Sequence, residues 1–127
     1  MSYGFSRTVE MSFDAAVEKV TAELQKEGFG VLTMIDVKET LKKKLNVDFK
    51  RYKILGACNP PFAHKALQAE EEIGLLLPCN VIVYEKNGRS VVAAFDPLSM
   101  SRVMENLAIE PIALEMKQRL ERVIAAV

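Results

Sequence analysis

From Tyr3 to Glu10 the chain alternates, with Tyr3, Phe5, Arg7 and Val9 set against Gly4, Ser6 and Thr8, which predicts a first strand. Beyond Ser12, a good N-cap, the period lengthens. Phe13, Ala16, Val17, Val20 and Leu24 recur at three- and four-residue spacing and mark the apolar stripe of a helix. Gly28 stands where a left-handed helix end is wanted. Residues 30–35 are largely apolar and read as a second, mostly buried strand. Asp36 and Glu39 resemble a capping box with Asp in place of Ser or Thr. The short helix they open turns Val37, Leu41 and Leu45 inward and ends at Asn46.

A third strand follows over residues 52–58, with Tyr52, Ile54, Gly56 and Cys58 on one face. Asn59 then occupies the N-cap of a helix with Pro60 at its first position, where a missing N–H costs nothing. Phe62, Ala63, Ala66, Leu67 and Ile73 form its inner side, and Gly74 closes it. Residues 81–95 predict a hairpin around Asn87-Gly88, the signature of a two-residue type I′ turn. That turn pairs Lys86 with Arg89, Tyr84 with Val91 and Ile82 with Ala93. Continued, it brings Asn80 opposite Phe95 and Cys79 opposite Asp96. Asp96 caps a turn with Pro97 at its first position, and Pro111 opens a last helix whose Ile112, Met116, Leu120, Val123 and Ile124 face one way.

These elements predict an α+β fold: a single sheet of about five strands with a type I′ hairpin, and helices mainly on one face. The chain, 127 residues with half of them hydrophobic, is read as a single α+β domain over 1–127 that buries its core without disulfides. Its 17 basic and 17 acidic side chains cancel, so no global field draws it to nucleic acid or an anionic membrane. No apolar run reaches the roughly 20 residues of a membrane span. The N-terminus shows no secretory pattern, and two cysteines in such a chain read as reduced thiols, so the expected location is cytoplasmic. Residues 38–53 hold seven lysines and arginines against two acids, a net of +5. Without exposed aromatics interleaved or a groove-reading motif, this reads as a solvated surface, and nucleic acid is disfavoured as a partner.

Candidate chemistry gathers where strands meet other elements. Cys58 precedes an N-cap, where the positive end of a helix favours thiolate. His64 lies further into the same helix, its side chain leaning back toward the start. Cys79 and Asp96 would join them at the hairpin base. Two sulfurs, a nitrogen and an oxygen suit zinc or another soft divalent metal, with Cys58, His64 and Cys79 as the metal set. The wider ligand-binding set is Cys58, Asn59, His64, Cys79, Asn80 and Asp96. A parallel crossover between the third and fourth strands would put the two cysteines at opposite ends of the sheet. A return of residues 75–78 along the helix would make those strands antiparallel and let the thiols meet. The plain alternative is that buried cysteines act as small hydrophobes and the histidine bonds locally.

Ile54 to Ala63, Leu76 to Glu85 and the pair Asp96-Pro97 resemble the signature of the prokaryotic family catalogued as domain of unknown function 302. The similarity runs over nearly the whole chain, and Cys-Asn-Pro followed by Leu-Pro-Cys is fairly specific to it. The resemblance implies a compact α+β fold and a homodimer, and places Cys58, Asn59, Pro60, Pro78, Cys79 and Asp96 in the family pattern. It implies no activity. Serine hydrolase, phosphate-loop and dinucleotide chemistry all lack their glycine motifs here. The expected function is therefore a small-ligand or metal-binding module with its site near Cys58. The alternatives are a thiol-dependent redox enzyme and a homodimeric interaction protein with structural cysteines.

Overall fold

Ser12 accepts a hydrogen bond from the Ala15 backbone N–H at 3.2 Å and so starts the first helix, as its position predicts. The structure, a computed structural model, describes residues 2–127. In chain order it has β1 (Gly4–Val9), α1 (Phe13–Lys26), β2 (Gly30–Asp36), α2 (Val37–Leu45), β3 (Tyr52–Cys58) and α3 (Pro60–Ala69). A 3-10 turn (Glu71–Leu76), β4 (Cys79–Lys86), β5 (Arg89–Phe95), a second 3-10 turn (Pro97–Arg102) and α4 (Ile109–Ala126) complete it. The strands form one five-stranded antiparallel sheet in the order β1-β5-β4-β3-β2. The α+β class, the strand number and the type I′ hairpin are as expected.

Antiparallel pairing sends alternate residues to opposite faces, and that alternation decides the layering. Leu55 and Ala57 of β3, Val81 and Val83 of β4, and Val92 and Ala94 of β5 share a face and are all buried. Against them pack Phe13, Ala16, Val20 and Leu24 of α1, and Ile109, Ala113, Met116, Leu120 and Val123 of α4. Arg7 of β1 ties this layer down, donating to the carbonyls of Ala125 and Val127 where α4 ends. The other face of the sheet carries no such helix layer.

Between β4 and β5 the turn is the one that Asn87-Gly88 predicts. Both residues have positive φ, 53° and 77°, as a type I′ turn demands. The pairs Lys86–Arg89, Tyr84–Val91 and Ile82–Ala93 form as expected, and the ladder reaches Val81–Ala94.

Four expectations change. β2 is an edge strand, paired on one side alone by β3, and its Leu32, Met34 and Ile35 are 69%, 57% and 49% exposed. α2 buries no residue, and Leu45 is exposed. α3 stops at Ala69: the chain turns extended at Glu70, and Ile73 is buried from the 3-10 turn rather than from a continued helix. Leu67 is consequently turned outward. Last, α4 begins at Ile109, two residues earlier than Pro111 suggests, because Asn106 Oδ1 accepts from the Ala108 N–H just ahead of it.

Candidate functional site

The question that the sequence leaves open, whether β4 runs back beside β3, is settled by the register. Ala57 stands opposite Cys79 in an antiparallel ladder, so both cysteines lie at one rim of the sheet. They face apart, however. Cys79 shares the helix-covered face with Ala57, while Cys58, the next residue of β3, turns to the helix-free face opposite Gly30. Burial, and secondarily the neighbouring Cys58, push the Cys79 thiol up to about 12. It is a neutral core residue. Both cysteines are free thiols.

The other expected ligands have separate tasks. Asp96 is buried, its Oδ1 accepting from the Leu98 N–H at 3.0 Å and its Oδ2 lying 3.2 Å from Lys117 Nζ of α4. Its backbone N–H donates to the Tyr3 carbonyl at 2.8 Å, which draws it toward β1 rather than toward Cys79. Asn59 holds the N-cap position without capping. Its Nδ2 donates instead to the Glu27 carbonyl at 3.2 Å, which also accepts from Arg119 Nη1 at 2.9 Å. His64 is exposed on α3. Among the described residues no three of His, Cys, Asp and Glu come close enough to hold a metal ion. The expected set of Cys58, His64 and Cys79 is therefore not assembled, because strand alternation sends its two sulfurs to opposite faces.

Asn80 is the exception. It is exposed on the helix-free face, opposite Gly56, and it lines a groove of about 590 Å³ on that face. Gly56 is needed beside it: a Cβ there would run into Thr33 Oγ1 and come within 2.9 Å of Pro78 Cγ. Ile82 of β4 and Ala93 of β5, paired across the hairpin, form the groove's floor, and Phe95 closes one end. One wall is aromatic. Tyr52 and Tyr84 are directly paired across β3 and β4, their rings stacked at 5.3 Å and 10°, and Phe49 leans on Tyr52 at 6.3 Å. Tyr3 and Ser6 supply the opposite side.

Burial first, then the phenols of Tyr84 and Tyr3, raise the Tyr52 hydroxyl above its ordinary value, so it remains a neutral donor. Lys50 Nζ sits 5.0 Å from the centre of the Tyr84 ring, at the mouth. Half of this site was visible as faces of predicted strands. What the sequence lacked was the β3–β4 register that puts Tyr52 against Tyr84.

The segment with net charge +5 is held locally. Lys43 pairs with Glu39 at 2.7 Å, Lys42 with Asp48 at 3.4 Å and Arg51 with Asp14 at 2.7 Å, while Lys38 donates to the Phe49 carbonyl. No helix among the described residues is long and apolar enough to cross a membrane.

With this geometry established, comparison with known proteins adds two findings. A family model described as Domain of unknown function DUF302 matches residues 5–127. The crystal structure of an uncharacterized conserved DUF302 protein from Bacillus stearothermophilus is similar with a TM-score of 0.92 and 29% identity. The likeness covers 99% of this chain and 98% of that one. No protein of curated function matches the chain.

Proposed function

The chain belongs to the DUF302 family, and since that family brings no activity with it, we propose from the site itself that the protein is a small-ligand-binding module. Its site is the groove on the helix-free face of the sheet. One observation carries this reading: a cavity of about 590 Å³, lined mainly by apolar and aromatic side chains with a few polar groups, formed on an already rigid sheet. Such size and composition are those of small-molecule sites. The expected module near Cys58 thus moves six residues along β3, to Tyr52, and keeps Asn80 as its shared member. The cytoplasm is the setting proposed with it, given two free thiols.

Tyrosine fluorescence tests the reading without added labels. All three tyrosines of the chain, Tyr3, Tyr52 and Tyr84, line the groove, and there is no tryptophan to mask them. Screened against a library of small aromatic and aliphatic compounds, the protein should show saturable quenching that Ile82→Asp abolishes in a folded variant. A library that leaves the emission flat, or quenching that survives Ile82→Asp, contradicts it.

A second reading draws on another part of the surface. The free edge of β2, where Leu32 and Met34 are exposed, favours the expected homodimer through strand pairing with a second copy. Sedimentation at micromolar concentration tests it: a dimer should be lost in Met34→Lys, and a monomeric wild-type chain rules this reading out.

A further inference from the structure

We propose that the ligand of this groove is a flat organic anion, an aromatic or conjugated ring system bearing one carboxylate, sulfonate or phosphate. The inference rests on the groove being the binding site and adds what it selects. The groove's lining contains two charged side chains, Lys50 and Lys86, both cationic, in a chain whose total charge is zero. No aspartate or glutamate lines it. The two lysines are placed at the end nearest the hairpin turn, while the opposite end is apolar at Phe95 and amide at Asn80. Beyond Lys86 the same face continues into a smaller depression of about 260 Å³, shared through Ser6, Tyr84 and Lys86 and reaching Arg89. Arg89 is 3.2 Å from Glu10, so the positive charge left over at this end is that of the two lysines.

The shape of the other end selects the body of the ligand. Tyr52 and Tyr84, their ring planes held nearly parallel by cross-strand stacking and flanked by Phe49, make an aromatic wall that presents a flat ring face beside the floor of Ile82 and Ala93. A ring lying along that wall gains the contact area and quadrupole match that aromatic pairs prefer. Lys50, its Nζ 5.0 Å from the centre of the Tyr84 ring, is placed to meet an anionic substituent on a ring packed there. The neutral phenol of Tyr52 adds a hydrogen-bond donor and no opposing charge. An uncharged or cationic ligand would leave the lysines without a partner, and an aliphatic chain would not use the planar wall.

Two probes with one ring system separate the parts of this inference: 8-anilinonaphthalene-1-sulfonate, and N-phenyl-1-naphthylamine, which lacks the sulfonate. Binding is followed by probe emission at low ionic strength. The sulfonate should bind a few-fold tighter than the neutral amine, up to about five-fold, the scale of an exposed ion pair. The Lys50→Gln/Lys86→Gln double variant should remove that preference, bringing the sulfonate's affinity to that of the neutral probe. Equal affinities in the wild type, or a preference that survives the double variant, overturn the anion and leave the groove standing. If neither probe binds, or if Ile82→Asp changes neither, the groove reading itself falls. A dimer that Ile82→Asp dissociates would show that a second copy covers this face, and would overturn both.

Discussion

Cys79 faces Ala57 across the β3–β4 ladder, and that single pairing turns its thiol into the core while Cys58 looks out from the opposite face of the sheet. The first prediction follows. With Cys58→Ser, Cys79 becomes the sole thiol, and its rise from 9.0 to about 12 lowers its thiolate content about a thousand-fold near pH 8. Reaction with a chromogenic disulfide reagent should be slower than in the urea-unfolded chain by that order. Labelling of the folded variant as fast as the unfolded one would contradict the placement. Since the thiol is raised, its linkage is alkaline: its contribution to stability is whole below about pH 9 and lost as pH rises toward 12.

Gly56 is where β3 meets two neighbours without room for a side chain. Gly56→Ala should destabilise the fold by about 1–3 kcal/mol, since Pro78 and Thr33 must both give way. Chemical denaturation measures it. Pairing it with Thr33→Ala, which removes the nearer obstacle, should recover part of the loss; no recovery would mean that Pro78 alone sets the cost.

How much of this was legible beforehand depends on the range of the interaction. Asn87-Gly88 specifies its own turn geometry, so the hairpin pairs Tyr84–Val91 and Ile82–Ala93 could be read from four residues of local chemistry. Ser12 and Asp36 likewise act on their own helices, through Ala15 and Glu39. Register between β3 and β4 has no such local determinant, because α3 and the following turn intervene. Without it, neither the outward face of Cys58 nor the stacking of Tyr52 on Tyr84 could be drawn. β2 differs from its expected burial for a related reason: an apolar run looks alike in a central strand and in an edge strand. The resemblance singles out Asn59 and Asp96 among its six residues, and in the structure Asn59 bonds to the Glu27 carbonyl while Asp96 caps Leu98 and pairs with Lys117.

Asp96 serves two purposes that substitution can separate. Asp96→Ala removes both the cap on Leu98 and the ion pair to Lys117, and should cost about 1–2 kcal/mol. Asp96→Asn keeps a capping oxygen and should lose less. Thermal melts of the two variants decide it: equal losses would mean that the ion pair, not the cap, carries the effect.

Acid should weaken the ion pairs within α1 and between its end and α4. Lys26, and then Lys19, hold the Glu23 carboxyl below 4.5, and Arg122 does the same for Glu27 across α1 and α4. For lowered carboxyls the stabilisation is present above the unfolded value and disappears as pH falls through the lower folded values. The urea midpoint should therefore drop below about pH 4.5 in the wild type. Glu27→Gln should start lower at pH 7 and converge with it by pH 3. Two curves that stay parallel throughout would show that the Arg122 pair contributes nothing.

The account stands or falls on the helix-free face being the ligand site. Titrating the ¹⁵N-labelled protein with 8-anilinonaphthalene-1-sulfonate, and mapping amide shifts, asks this directly. The predicted result is a saturable set centred on Tyr52, Asn80, Ile82, Tyr84 and Ala93, with Cys58, His64 and α4 unmoved. Shifts concentrated around Cys58 and His64, or spread over the exposed residues of α2 and α4, would contradict it.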